Sequence, residues 1–323
     1  MAAKLRILFY GTPDFAVASL KALYDEGFNI IGVVTAPDKP AGRGKKLKQS
    51  AVKQFAERKQ LPVFQPENLK SDSFLSQLKQ LKPDLQVVVA FRMLPEKVWQ
   101  LPPKGTINLH ASLLPAYRGA APINHAIING ETKTGLTTFF INETIDTGQI
   151  IFQEATPIHE EDNAGMLHDR MMIQGGELLI KTLRAIEKNQ ITQTTQKDLY
   201  NGIREYKKAP KIYRSNCEIK WCKKTMIQTR NFIRGLSPYP GAHTYLTSPE
   251  GEKILMKIFE VAAIKEKHHY PCGQLLTDGE KYLDITADEG YIQIMELQLS
   301  GKQKMTVTDF LRGFAIDQHW TIG

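Results

Sequence analysis

The sequence predicts two domains, an α/β domain built on an open, mostly parallel sheet and a small β-barrel domain after it. Three observations favour this fold class: strand and helix patterns alternate through the first half, a polar stretch rich in Gln and Thr follows, and short strands separated by Gly and Pro come next. We expect the first domain over 1–189, a linker over 190–207 and the barrel domain over 208–323. The length of 323 residues suits two domains of roughly 100–200 residues each.

The first domain begins with a short apolar run, Leu5–Tyr10, which predicts a buried strand. Thr12 offers an N-cap oxygen and Pro13 suits the first helical position, so we expect a helix over 13–26. Asp84–Phe91 is a continuous apolar run of the kind that a parallel sheet buries on both faces. Further strands are predicted at Asn29–Thr35, Thr106–His110 and Leu136–Asn142, and further helices at Ser50–Arg58, Ser71–Leu81 and Asp162–Lys188.

The second domain is predicted to contain one helix, over about 222–234, followed by a series of short strands. The strand patterns are HTYLT, KILMKIFEVAAI, GQLLT, YLDIT and YIQIMELQL, within residues 243–299. Their close spacing favours a small barrel or sandwich.

Composition excludes several classes of protein. Three cysteines are too few for a disulfide framework and suit a reducing compartment. No stretch approaches the roughly 20 apolar residues of a membrane span, and the N-terminal apolar run is too short for a secretory signal. We therefore expect a cytoplasmic protein that does not contact membranes. The formal net charge of +8 favours a polyanionic partner only weakly, because many basic proteins bind no nucleic acid.

Asn108 and His110 form the first candidate for a functional site. They lie two residues apart on a predicted strand, so their side chains point to the same side of the sheet. In open α/β sheets ligands bind beyond the carboxyl ends of strands, and this pair stands at such an end. A neutral imidazole there can exchange protons, and a carboxamide can donate to a developing oxyanion. The structural alternative is a strand end with a hydrogen-bonded histidine.

Asp146 is the second candidate. It follows another predicted strand, in a turn between Thr and Gly. Taken in isolation it fits the aspartate of an Asx-turn. Beside a histidine at the same sheet edge, it would instead hold the imidazole in one tautomer or raise its basicity.

Sequence motifs for several other chemistries do not occur. The first strand ends in GTPD rather than GxGxxG, and neither GxxxxGK[ST] nor HExxH is present, which argues against a dinucleotide site, a P-loop and a zinc protease site. The cysteines and histidines of the second half lack the tight spacing of structural zinc sites. We expect no metal.

Basic residues concentrate in two segments. The first is a loop rich in Gly and Pro that carries Lys39, Arg43, Lys45, Lys46 and Lys48. The second carries Lys207, Lys208, Lys211, Arg214, Lys220, Lys223, Lys224, Arg230 and Arg234, with Tyr206, Tyr213 and Trp221 among them. Both segments suit contact with a phosphate backbone, and the second has the aromatic residues of a nucleic-acid surface. A solvated loop and a solvated charged face are the structural alternatives.

Several motifs together resemble those of the methionyl-tRNA formyltransferases, a family whose N-terminal half is similar to the wider class of folate-dependent formyltransferases. These motifs are GTPDFA at 11–16, PDKPAGRGKKL at 37–47, NLHASLLPAYRGAAPI at 108–123, DTG at 146–148, DNAGML at 162–167 and FIRGLSPYPGA at 232–242. The Asn-x-His…Asp set is specific to the catalytic domain class, and the GRGKKL loop and the IRGLSPYPGA element are specific to the tRNA enzymes. The resemblance implies a Rossmann-like sheet and an OB-like barrel.

The resemblance also implies a reaction and its catalytic residues. A formyl group would pass from 10-formyltetrahydrofolate to the α-amino group of methionine esterified to initiator tRNA, with no metal. Asn108 would donate a hydrogen bond to the oxyanion of the tetrahedral intermediate. His110 would stabilise that oxyanion or move the proton, and Asp146 would orient His110 and help deprotonate the amine. The division of work between His110 and Asp146 stays open.

Binding residues follow from the same resemblance. The folate would lie against Ser112, Leu113, Leu114, Pro115, Val89, Phe91, Leu94 and Phe140. The tRNA would contact Lys39, Arg43, Lys45, Lys46, Lys48 and Arg234. The family commonly has glycine where this chain has Arg92, so we expect a folate pocket of different shape there. The expected partners are initiator methionyl-tRNA and the folate, and the chain is expected to act as a monomer.

Two alternative functions stay open on the sequence. A related N-formyltransferase acting on a sugar nucleotide, or a formyl-folate hydrolase module, would share the Asn-x-His…Asp set without needing a basic loop. A tRNA-binding protein without catalysis would keep the basic segments, and the intact Asn108, His110 and Asp146 argue against it.

Overall fold

The computed structural model describes residues 4–41, 46–199, 205–317 and 319–323. The described residues form two compact units. The first comprises those within 1–119, 134–156 and 168–208, and the second those within 120–133, 157–167 and 209–323. Two short segments of the N-terminal half thus group with the second unit. The domain limits given above stay a prediction.

The chain contains eighteen strands and eight α-helices in its described residues. The strands are β1 (Ile7–Gly11), β2 (Ile30–Val34), β3 (Lys39–Ala41), β4 (Lys46–Lys48), β5 (Val63–Phe64), β6 (Leu85–Val89), β7 (Thr106–His110), β8 (Arg118–Gly119), β9 (Lys133–Phe140), β10 (Ile150–Pro157), β11 (Lys208–Ala209), β12 (Ala242–Thr247), β13 (Lys253–Lys265), β14 (Leu275–Thr277), β15 (Leu283–Ala287), β16 (Gly290–Leu299), β17 (Met305–Thr306) and β18 (Thr321–Ile322). The helices are α1 (Asp14–Asp25), α2 (Ala51–Arg58), α3 (Asp72–Leu81), α4 (Glu96–Trp99), α5 (Pro122–Ile128), α6 (Ala164–Glu187), α7 (Met226–Leu236) and α8 (Val307–Gly313).

A seven-stranded sheet in the order β10-β9-β7-β6-β1-β2-β5 forms the centre of the first unit. The strands from β7 to β5 pair in parallel, whereas β9 runs antiparallel to β7. All five residues of β1 and all five of β6 are buried, as a sheet covered on both faces requires. The predicted open, mostly parallel α/β sheet is confirmed.

Helices α1, α2 and α3 all begin within one residue of the predicted start, and a side chain caps two of them. Ser50 and Ser71 cap α2 and α3 by accepting hydrogen bonds from the backbone N–H groups of Lys53 and Phe74. The helix expected over 13–26 forms as α1 over Asp14–Asp25, but the cap and first residue assigned to it were wrong. Pro13 is its N-cap, because its extended backbone (φ −84°, ψ 179°) precedes the first helical residue, and no side chain caps this helix.

The second unit contains a barrel-like antiparallel sheet in the order β14-β15-β16-β13-β12-β18, with β17 added on β16. The long strand β13 is irregular around Phe259, where its register with β16 shifts, and such a bulge bends a strand. Fully buried aliphatic residues such as Ile258, Ile285 and Ile294 form the core of this unit. The predicted barrel is confirmed.

Part of the predicted linker is structured within the first unit. Thr194 pairs with Ile150 through two backbone hydrogen bonds of 2.9 Å, and Gln196–Leu199 forms a 3-10 helix. Gln196 is only 2% exposed. A stretch that is polar in sequence therefore has a buried polar member here.

Among the helices of the described ranges, none combines the length and the apolar character that crossing a membrane would require.

Candidate active site

Strand β7 carries Asn108 and His110 on one side of the first sheet. In the parallel neighbour β6, Asn108 pairs with Val88, and in the antiparallel neighbour β9, His110 pairs with Thr137. His110 is buried and Asn108 is half-buried. Within the part of the chain that the structure describes, the Asn108 carboxamide has no hydrogen-bond partner. It is therefore free to bond a ligand.

The backbone fixes which nitrogen of His110 exchanges a proton. Nε2 lies 2.9 Å from the carbonyl oxygen of Tyr117, which can only accept, so Nε2 donates. Nδ1 is then the nitrogen that gains or loses a proton, and it lies 3.8 Å from Oδ2 of Asp146. That distance exceeds a direct hydrogen bond but brings the carboxylate close enough to attract an imidazolium. The structure thus brings together His110 and Asp146, which are separated along the chain.

Asp146 belongs to a turn of residues 142–148, here called the Asp146 turn. Its φ of +55° is in the left-handed region, which Asp tolerates better than most residues. Its Oδ2 accepts a 3.0 Å hydrogen bond from the backbone N–H of Gly119. Asn142 supplies the Asx-type bonds of the turn, to Thr144 N and Thr147 Oγ1. The Asp146 carboxylate is therefore directed out of its own turn and towards the sheet edge.

Hydrogen bonds from its own loop and from neighbouring strands hold the segment Ser112–Pro115. Ser112 Oγ donates to Ala116 O over 2.6 Å. Thr137 Oγ1 donates to Ser112 O over 2.6 Å and accepts from Leu114 N over 3.2 Å. Gln153 Nε2 donates to Leu114 O over 2.8 Å. These bonds fix the path of the segment next to His110.

The other predicted folate residues lie near the ends of β6 and β9. Val89 and Leu94 are buried, and Phe91 and Phe140 are half-buried. Arg92 is exposed, and its guanidinium donates to the backbone oxygens of Pro66 and Glu67. The Arg92 side chain is therefore held by the neighbouring loop.

In the described ranges, no group of three or more His, Cys, Asp or Glu side chains is arranged to hold a metal ion. The expectation that the protein uses no metal stays a prediction.

The first basic segment is described only in part. Lys39 and Lys48 are exposed and pair across the small sheet of β3 and β4. Arg43 and Lys45 lie outside the described residues, and of Lys46 only the backbone is described.

The second basic segment differs from the predicted surface at Trp221. Trp221 is 7% exposed, and its indole N–H donates to Thr244 Oγ1 over 3.1 Å in the core of the second unit. The expectation that it helps form a nucleic-acid surface was wrong, because the ring is covered. Tyr213 is 58% exposed, with Lys211 Nζ 5.4 Å from its ring centroid.

Arg234 has a structural role in the second unit. Its guanidinium donates to Asn231 Oδ1 over 2.8 Å and to the carbonyl oxygens of His159, Glu160 and Asp162 over 3.3, 3.2 and 2.8 Å. Burial, and then the charge of Arg230, lower the pKa of Arg234 from its usual value. A contact of Arg234 with tRNA stays a prediction.

The second unit contains a basic cleft of about 550 Å³. Its lining includes Lys211, Arg214, Tyr239, His243, Lys257 and Gln298. Lys211 and Arg214 are exposed, while Lys257 Nζ donates to Pro240 O over 2.8 Å. Burial, and then the charge of Arg214, lower the pKa of His243. The cleft thus presents the exposed cationic groups of Lys211 and Arg214 to an anionic partner.

Sequence reasoning missed four residues that hold the site. Tyr117, Arg118 and Gly119 lie within a motif quoted above, so the motif was a signal, although it gave no role for them. Gln196 donates to the carbonyl oxygens of Asp146 and Gly148. No local pattern marks it.

Comparison with known proteins places the chain in a family. Residues 3–183 match the formyl transferase family and residues 211–315 match its C-terminal domain. Methionyl-tRNA formyltransferase of Bacteroides thetaiotaomicron is 50% identical over 312 residues, with 97% of this chain and 96% of that protein covered. The enzyme of the same name from Flavobacterium johnsoniae is 50% identical over 310 residues, with 96% of each covered. The solved structure of WlaRD, a sugar 3N-formyl transferase in the presence of dTDP and 5-N-formyl-THF, has a TM-score of 0.61 at 20% identity, with 94% of this chain and 100% of that one covered.

The fold and these matches define a two-domain enzyme of the formyl transferase class. The chain belongs to the formyl transferase family, and over nearly its whole length it is similar to the methionyl-tRNA formyltransferases within it. The likeness to WlaRD, at 20% identity, concerns the fold alone.

Proposed function

We propose that this chain transfers the formyl group of 10-formyltetrahydrofolate to the α-amino group of methionyl-initiator tRNA, in the cytoplasm and as a monomer. The observation that carries the proposal is the approach of His110 Nδ1 to Asp146 Oδ2 at 3.8 Å, on the strand that also presents Asn108. A likeness to methionyl-tRNA formyltransferases at 50% identity supports the choice of acceptor.

Three side chains divide the chemistry in this proposal. The folate supplies the formyl group, whose carbon the amine attacks with formation of a tetrahedral oxyanion. Asn108 donates a hydrogen bond to that oxygen, where negative charge develops. The amine loses a proton, which His110 accepts on its Nδ1. His110 then returns this proton to the folate nitrogen that leaves. Asp146 stabilises the imidazolium in the interval.

The proposed folate site lies along Ser112, Leu113, Leu114 and Pro115, with Val89, Phe91, Leu94 and Phe140 beside them. The hydrogen bonds of Thr137 and Gln153 support this assignment, because a backbone that is already held loses little freedom when a ligand binds.

The tRNA is proposed to contact the loop residues Lys39, Arg43, Lys45, Lys46 and Lys48 of the first unit and, separately, the basic cleft of the second unit. The exposed Lys211 and Arg214 support the inclusion of the cleft. Each phosphate contact releases condensed counterions, so binding must weaken as salt rises.

Incubation with 10-formyltetrahydrofolate and methionyl-initiator tRNA, followed by measurement of N-formylmethionyl-tRNA, tests the reaction. We expect product, and we expect Asn108→Ala and Asp146→Asn to lower kcat by about 100-fold or more. Asp198→Asn is the matched control for the second variant, because Asp198 is exposed and its side chain makes no hydrogen bond within the described residues. Formylation of an amino-sugar nucleotide in place of the tRNA would favour the alternative acceptor, and absence of any product would overturn the proposal.

The tRNA surface is tested by binding at several salt concentrations. Lys211→Ala with Arg214→Ala, and separately Arg43→Ala with Lys45→Ala, should each weaken binding and flatten the dependence of log Kd on log salt by roughly 0.9 for each phosphate that the variant no longer neutralises. Lys267→Ala with Lys281→Ala removes the same charge from exposed positions outside the cleft lining. If that control flattens the salt dependence equally, net charge rather than these residues determines binding.

A further inference from the structure

Gln196 has every polar atom of its side chain engaged, in a position that is 2% exposed. Its Nε2 donates to Asp146 O and to Gly148 O, each over 2.9 Å. Its Oε1 accepts from Arg118 Nε over 3.1 Å and from Arg118 Nη2 over 2.5 Å. Because carbonyls only accept and a guanidinium only donates, these partners fix the orientation of the amide.

The two carbonyls that Gln196 binds belong to the Asp146 turn. Asp146 has a φ of +55°, and a non-glycine residue persists there only when its surroundings hold it. One NH2 group that binds the carbonyls of residues 146 and 148 provides such a restraint. The bond joins positions 50 residues apart in the chain, so the turn alone cannot supply it.

Gln196 itself is held at two places. Thr194, two residues before it, is joined to Ile150 by two backbone hydrogen bonds of 2.9 Å. Arg118 binds its Oε1 with two N–H groups. The amide is therefore a fixed point and does not simply follow the turn.

Arg118 links this restraint to His110. Its two chain neighbours contact the proposed catalytic pair, since Tyr117 O accepts from His110 Nε2 and Gly119 N donates to Asp146 Oδ2. Three consecutive residues thus set the position of the imidazole, the amide of Gln196 and the carboxylate.

From this network we infer that Gln196, oriented by Arg118, is a positioning residue that holds Asp146 in register with His110. The inference rests on the proposed function, because it assigns Gln196 to the formyl-transfer site. Gln196 does not touch substrate. It acts through the backbone of the Asp146 turn.

Two substitutions of Gln196 separate its bonds. Gln196→Glu keeps the side-chain length and the acceptor for Arg118, but it turns an oxygen towards two carbonyl oxygens. Gln196→Ala removes all four bonds. We expect both to lower kcat for formylation by at least about tenfold, with KM for the folate and for the tRNA within about threefold of wild type, because positioning rather than binding is impaired. Gln193→Glu and Gln193→Ala are matched controls, since Gln193 is exposed in the same segment, and we expect wild-type kcat for them.

A double variant distinguishes positioning from general support of the fold. If Gln196 acts through Asp146, Gln196→Ala should add less than about twofold to the loss caused by Asp146→Asn alone, since coupled residues are not additive. Three results would each overturn the inference. They are losses in kcat that multiply in the double variant, a change in KM with kcat unchanged in the Gln196 variants, and a wild-type kcat for Gln196→Glu. Thermal unfolding monitors folding, and if both variants fail to fold, Gln196→Asn takes their place, because its shorter chain cannot reach both carbonyls.

The proposed function fails separately. A wild-type chain that forms no N-formylmethionyl-tRNA overturns that proposal, and the inference falls with it. An active wild type, an impaired Asp146→Asn and fully active Gln196 variants overturn the inference alone.

Discussion

Replacing Gly148 with alanine tests whether the Asp146 turn must keep its present position. Gly148 lies two residues after Asp146, and a Cβ added to it would stand 1.6 Å from the carbonyl oxygen of Phe140. Real Cβ atoms essentially never come within 3.0 Å of another heavy atom, so the turn or the end of β9 must shift by at least 1.4 Å, the difference between the two distances. The clashing atom is backbone, so no side chain can move aside to make room.

That shift converts into an expected rate. A displacement of about 1 Å in a catalytic constellation costs roughly 100-fold in rate. The Asp146 carboxylate is already 3.8 Å from His110 Nδ1, and a longer separation weakens its effect on the imidazolium further. We therefore expect kcat for Gly148→Ala to fall by about 100-fold or more.

The assay is steady-state formation of N-formylmethionyl-tRNA, with thermal unfolding in parallel. Gly313→Ala is the matched control, because a Cβ at Gly313 meets no atom within 4 Å. It should leave kcat and the unfolding temperature near wild type. A folded Gly148→Ala protein with kcat within about threefold of wild type would refute the reasoning, since a shifted turn would then still support the reaction.

Two further predictions concern stability. Tyr10 is fully buried, which raises the pKa of its phenol far above the usual value, and its hydroxyl has no hydrogen-bond partner among the described residues. Tyr10→Phe should therefore raise the free energy of unfolding by about 1–2 kcal/mol, whereas Tyr206→Phe, which loses a 2.8 Å bond to Leu199 O, should lower it by about 1 kcal/mol. Denaturant titration checks both values, and a lower free energy of unfolding for Tyr10→Phe would contradict this prediction. Burial and Arg214 lower the pKa of His243 below 6.5, so the native state resists a proton that the unfolded state accepts, and stability should fall as pH drops below that value. Urea titrations at pH 7.5 and 5.5 should show a smaller fall for His243→Gln, and an equal fall would contradict the assignment.

Strongly periodic segments could be predicted because the order of apolar and polar residues along the sequence matches the order of buried and exposed residues in the structure. Thr106–His110 was expected as a strand and forms one with the predicted bounds, and Asp84–Phe91 contains the fully buried β6. The spacing of Asn108 and His110 placed both on one side of that strand. Such inferences need only neighbours in the chain.

Long-range contacts could not be predicted in the same way. The stretch containing Gln196 has no hydrophobic period and was interpreted as linker, yet its partner Arg118 lies 78 residues away. Trp221 stands among lysines in the sequence, and only the fold shows that its ring is covered. In both cases tertiary packing determines whether the side chain is buried, and the composition of the segment does not predict it.

At the end of β7, some polar atoms of the proposed catalytic residues are hydrogen-bonded to the protein, and others have no partner in the described part of the chain. His110 Nε2 donates to Tyr117 O, and Asp146 Oδ2 accepts from the backbone N–H of Gly119, so the protein fixes where both groups point. Within the ranges that the structure describes, the Asn108 carboxamide and Asp146 Oδ1 make no hydrogen bond. Donors and acceptors that are oriented before the ligand arrives cost no reorganisation during the reaction. Asn108→Ala should consequently reduce kcat more than it raises KM, because the oxyanion that its carboxamide serves exists only after the amine has attacked.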